Sequence, residues 1–71
     1  MKPLPYRKIK QKLERAGFRV VHQRGSHVKF ACEKEGKVRT VVVPKHREIR
    51  IGTLRTIIRH AELTPDEFDQ L

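Results

Sequence analysis

His27 follows directly on Gly25-Ser26, with Arg24 before that pair and Lys29 two residues on, so one imidazole and two fixed cations fall within residues 24–29. An imidazole has an ordinary pKa of about 6.5, so both of its protonation forms are populated near neutrality and it can take or give a proton. Neighbouring cations hold negative charge as it develops on a phosphate. The combination suits proton transfer beside a phosphate, with the imidazole placed to handle the protons and Arg24 and Lys29 to stabilise the charge. Ser26 either bonds a phosphate or only closes the turn. On residue pattern alone the plainer reading of His27 is a solvated histidine after a hairpin.

Holding these groups together requires a tight turn between strands. Gly25-Ser26 is a two-residue hairpin signal, and the β-branched, alternating run Phe18–Arg24 before it reads as a strand. If those two residues form the loop, Arg24 faces His27, Gln23 faces Val28, His22 faces Lys29 and Val21 faces Phe30. Parity then sends Val21, Val28, Phe30 and Cys32 inward and leaves His22, Arg24, His27 and Lys29 on an open face. Phe18 falls on the wrong side by this count.

A second turn at Glu35-Gly36 leads into a third strand, Lys37 to Val43, ended by Pro44. A loop of two or four residues turns Val41 and Val43 inward, whereas a loop of three favours Val38 and Val42. Before the hairpin, Tyr6, Ile9, Leu13 and Ala16 stand at helical spacing behind Pro3 and Pro5, with a basic outer face and Gly17 as stop signal. That outer face is either a solvated surface or a phosphate contact. After the third strand, Lys45, His46, Arg47 and Arg50 approach a second helix, whose apolar stripe is Ile51, Leu54, Ile57 or Ile58, and Ala61. Thr64-Pro65-Asp66-Glu67 starts a short terminal helix anchored by Phe68 and Leu71. The expected fold class is α+β, a three-stranded antiparallel sheet with helices on one face in the order α-β-β-β-α(-α), occupying residues 1–71 as one domain.

The charge distribution points to a partner. Residues 1–30 carry a net charge of +8, residues 31–60 carry +5 and residues 61–71 carry −4. A basic body with an acidic tail suits a long chain of phosphates, although a ribosomal or membrane-surface role gives similar totals. The lone Cys32 rules out an internal disulfide and fits core packing and a reducing cytoplasm. No signal peptide stands out, and the longest apolar run, Val41 to Val43, is far short of a membrane span.

The remaining histidines carry weaker signals. His46 is a loop residue, a second acid or a phosphate contact; His22 is a neighbour on the open face; His60 places favourable charge at a helix C-terminus. Separations of five, nineteen and fourteen residues between the four histidines match no zinc-ligand spacing, so neither metal nor cofactor is expected. The amides near Gly52 and Thr53 could bind phosphate with Lys45, Arg47 and Arg50 flanking them, or simply cap the helix.

Taken together, Gly17-Phe18, Gly25-Ser26-His27 with Phe30, Val43-Pro44 with His46, and Gly52-Thr53-Leu54-Arg55 with Ile58 resemble the HicA (YcfA-like) toxin family along nearly the whole chain. The resemblance implies a fold like the double-stranded RNA-binding domain and an mRNA-cleaving, cytoplasmic toxin restrained by a HicB antitoxin. It also implies that His27 is the residue needed for cleavage. The reading is then a metal-independent endoribonuclease with His27 catalytic and Arg24, Ser26, Lys29, Lys45, His46, Arg47 and Arg50 as phosphate or RNA contacts. A non-catalytic RNA-binding module of the same fold is the alternative, and an adaptor that docks an acidic protein is a third class.

Overall fold

Pro5 presets an extended entry at φ −75°, and the computed structural model, which describes all 71 residues, begins α1 (Tyr6–Arg15) immediately after it. Ile9 and Leu13, one turn apart, form the buried stripe of α1. The helix stops because Gly17 takes φ +97°, which lets its amide donate to the Glu14 carbonyl at 3.0 Å and the Phe18 amide to the Leu13 carbonyl at 2.9 Å. This pair of bonds is the Schellman arrangement, and it turns Phe18 back onto the core.

Three strands follow in sequence order, β1 (Arg19–Arg24), β2 (His27–Lys34) and β3 (Lys37–Pro44), forming an antiparallel sheet with β2 in the centre. At the first turn Gly25 has φ +59°, as a two-residue hairpin with glycine leading requires. At the second, Glu35 and Gly36 both have positive φ and Lys34 pairs with Lys37. The loop of two residues settles the β3 register: Val43 pairs with Val28 and Val41 with Phe30, and all four are buried. Val38 and Val42 face out at 58% and 49% exposure. Pro44 is the last residue of β3, pairing with His27, rather than the residue beyond it.

The hairpin register differs from the expectation in one place. Arg24 pairs with His27, Gln23 with Val28 and His22 with Lys29, but Phe30 pairs with Val20, not Val21. A bulge between Val20 and His22 inserts Val21, which is 50% exposed instead of buried. The extra residue reverses parity upstream, and this is why Phe18 reaches the core that simple alternation denied it. Every residue of β1 is exposed, so the strand is held to β2 by its ladder and by Phe18 at its entry.

α2 (Ile51–His60) buries Leu54, Ile57 and Ile58, so both candidate isoleucines are used, and Ala61 beyond its end is buried as well. α3 (Pro65–Asp69) starts in a capping box: the Thr64 hydroxyl accepts from the Glu67 amide at 3.1 Å and the Thr64 amide donates to Glu67 Oε1 at 2.7 Å. Those bonds, the backbone amide first, hold the Glu67 carboxyl below its ordinary value of 4.5. Lys12 of α1 reaches across to donate to the carbonyls of Phe68, Asp69 and Leu71 at 3.1, 3.3 and 3.2 Å, with its ammonium 5.2 Å from the Phe68 ring centroid. One basic residue of α1 is thereby occupied in joining the two ends of the chain. Thirteen apolar residues, from Ile9 to Phe68, form the core between helices and sheet, with Cys32 partly buried against them. No helix is long and apolar enough to cross a membrane.

Candidate active site

The hairpin turn is tied to the rest of the molecule by backbone bonds rather than side chains. The Lys45 amide donates to the Ser26 carbonyl at 2.6 Å, and the Tyr6 amide donates to the His46 carbonyl at 3.0 Å. Leu4 and Ile49 exchange two further bonds, Leu4 amide to Ile49 carbonyl at 3.2 Å and Ile49 amide to Leu4 carbonyl at 2.7 Å. The β1–β2 turn, the segment 45–50 and the entry to α1 therefore form one platform at the end of the sheet. Backbone bonds of this kind place the loops without consuming the side chains that the loops carry.

The residues singled out from the sequence, His60 apart, lie on or beside that platform. Arg24 and His27 are the last pair before the turn, and His22 and Lys29 the next pair on the same face, all four pointing away from the helices and all exposed. His27 also pairs with Pro44 on its other side, so the histidine stands between both neighbouring strands one residue from the Lys45–Ser26 bond. Ser26 offers its carbonyl to Lys45 and is exposed. Lys45, His46, Arg47 and Arg50 are all exposed along the β3–α2 connection. Arg50 is the residue at the N-cap of α2, which has no side-chain cap and no acid in its first turn; a Cβ on Gly52 would meet nothing within 4 Å. His60 lies in the last turn of α2, far along the chain from this cluster. The cations beside His27 make no ion pair; those formed are Lys37 and Arg39 with Glu62. No group of three His, Cys, Asp or Glu side chains converges as a ligand set.

The structure adds residues that were read only as helix stripe, helix surface or strand. A hollow of about 430 Å³ is lined by Pro5, Tyr6, Arg7, Lys45, His46 and Arg47, and it contains no acid. A second, of about 750 Å³, continues from Tyr6, Arg7 and Lys45 along α1 to Lys10 and, at its far end, Glu14, and across to Gln23 of β1. Tyr6 was assigned to the apolar stripe of α1. It is half-buried, its ring tilted 46° to Phe30 with centroids 6.4 Å apart, and burial followed by the charge of Glu14 pushes its phenol above the ordinary value of 10.0. The local signal for it was an aromatic at a helix start directly followed by Arg7 and Lys8. A further hollow of about 350 Å³ lies at the other end of the open face around Arg19, Val21, Glu33 and Val38, and holds no histidine.

An antiparallel meander of three strands with its helices on one face, in the order α-β-β-β-α-α, defines an α+β domain of the double-stranded RNA-binding type. Its basic end carries an exposed histidine at the first hairpin. The chain belongs to the HicA toxin family: the family model described as HicA toxin of bacterial toxin-antitoxin matches residues 6–63. No curated protein matches the chain. Membership in a toxin-antitoxin family implies a cognate antitoxin as partner.

Proposed function

We propose that this chain is the toxin of a type II toxin-antitoxin pair and acts as a metal-independent endoribonuclease on mRNA, with His27 as its acid/base and a HicB-like protein as its antitoxin. The observation that carries the reading is His27 itself, exposed and paired across the turn with Arg24, with Lys29 next but one and the Lys45–Ser26 bond bringing a second basic segment alongside. Removal of the 2′-hydroxyl proton by the imidazole lets that oxygen attack the adjacent phosphorus. The bond to the 5′-oxygen breaks, the leaving oxygen takes up a proton, and the fragments end in a 2′,3′-cyclic phosphate and a 5′-hydroxyl. Arg24 and Lys29 carry the added negative charge at phosphorus, where a charge-assisted bond is about twice as strong as a neutral one. Ser26, Lys45, His46, Arg47 and Arg50 hold the flanking phosphates.

A passive RNA-binding module uses the same surface and leaves RNA intact. The discriminating experiment incubates EDTA-treated protein with single-stranded RNA, and the products are analysed for length and end chemistry. Fragments with cyclic phosphate ends that His27→Ala does not generate support the nuclease. Bound but uncut RNA identifies the passive module.

A further inference from the structure

We infer that the two joined hollows at the start of α1 form a subsite for one nucleotide of single-stranded RNA, its base stacked on Tyr6 and its phosphate held by Arg7, Lys45 and Arg47. The inference rests on the RNA-cleaving reading above and states where the strand runs beside the scissile phosphate. Both hollows share Tyr6, Arg7 and Lys45, and their volumes of about 430 and 750 Å³ are in the range of small-ligand sites. The smaller one combines an aromatic ring with Arg7, Lys45, His46 and Arg47 and no carboxylate, which is the composition a nucleotide requires. None of Arg7, Lys45 and Arg47 enters an ion pair, whereas Lys12 and Lys37 on other parts of the surface are engaged with carbonyls and a carboxylate.

The ring is held ready for stacking. Phe30, fully buried, supports it from within at 6.4 Å, and the Tyr6 amide is fixed to the His46 carbonyl at 3.0 Å. The Lys45 ammonium lies over the ring, 6.0 Å from its centroid, so a base that stacks there displaces it toward the phosphate, while the Lys45 amide bonds Ser26, the residue before His27. A strand whose base rests on Tyr6 thus has its phosphate next to Lys45 and continues directly to the hairpin. Only an unstacked base can offer its face to an aromatic side chain, so the occupant is single-stranded; in a duplex each base is already covered by its neighbours.

The chain holds one tyrosine and no tryptophan, so tyrosine fluorescence reports Tyr6 alone. His27→Ala protein is titrated with a short dye-labelled RNA, single-stranded or annealed to its complement, while RNA anisotropy and tyrosine emission are followed together. The single strand is expected to quench Tyr6 in step with the anisotropy, and the duplex to leave its emission unchanged. In cleavage assays with His27 intact, Tyr6→Phe keeps the wild-type KM, and Tyr6→Leu raises it roughly 5- to 100-fold, more than it lowers kcat. Circular dichroism establishes that the leucine variant is folded. Binding with unchanged Tyr6 emission, equal quenching by duplex, or a folded Tyr6→Leu with wild-type KM overturns the subsite while leaving cleavage by His27 standing. No binding of RNA at all overturns both.

Discussion

Tyr6 and His27 show how differently two side chains can be exposed by one fold. His27 is placed by pairing alone, opposite Arg24 on one side and Pro44 on the other, and its imidazole is left to solvent. Tyr6 is placed by packing, and burial together with Glu14 disfavours its ionised form. Because its folded-state pKa lies above the unfolded value of 10.0, the neutral phenol favours the native state. That contribution is fully present below pH 10.0 and is lost as pH rises through the folded-state value. Stability measured by urea unfolding is therefore expected to fall on the alkaline side more steeply in wild type than in Tyr6→Phe, with tyrosinate absorption of the native protein appearing later than that of the unfolded chain. Coincident absorption curves would contradict the placement of the ring. At this scale the sequence was informative for His27, since Gly25-Ser26 sets the turn and the turn sets its partner. It was uninformative for the setting of Tyr6, because the bond from Tyr6 to His46 joins residues forty positions apart and leaves no local trace.

At the scale of elements, the ends of helices and strands decide the geometry. Gly17 combines φ +97° with a would-be Cβ 3.4 Å from Cys32 Sγ, so Gly17→Ala is expected to cost about 1–2 kcal/mol, read as a lower urea midpoint with an unchanged slope. Lys12 is expected to matter for stability more than for RNA. Its three carbonyl contacts tie α3 to α1, and Lys12→Met should destabilise by about 1–2 kcal/mol while leaving RNA affinity nearly constant. Wild-type unfolding in that variant, with weakened RNA binding, would instead place Lys12 among the phosphate contacts. Helix limits, the three strands and the inward Val28 and Phe30 were legible because period and turn residues agree, whereas the choice of Val41 and Val43 over Val38 and Val42 waited on the length of the second turn. The bulge at Val21 was not, since Val20 and Val21 are alike in β-propensity and only the need to bury Phe18 distinguishes the two registers.

For the whole molecule, the net charge of +9 is the balance of a basic body and an acidic C-terminal segment. The acidic C-terminal segment packs beside α1 through Lys12, while Arg7, Lys45 and Arg47, none of them in an ion pair, lie where the β3–α2 connection and the entry to α1 meet. If the scissile phosphate beside Arg24 and Lys29, the subsite phosphate beside Arg7, Lys45 and Arg47 and a third beside Arg50 are each neutralised, the logarithm of the affinity for single-stranded RNA should fall against the logarithm of salt concentration with a slope of roughly −2. Replacing Arg50 by Ala should reduce the magnitude of the slope by about 0.7, and a slope near zero would assign the basic surface to a protein partner instead.

The central claim is that His27 moves the protons of RNA cleavage, and the most direct test compares wild type and His27→Ala under single-turnover conditions on one single-stranded RNA in the presence of EDTA. The variant, folded and binding RNA with near-wild-type affinity, is expected to cleave at least about 100-fold more slowly. Equal rate constants for the two proteins would contradict it.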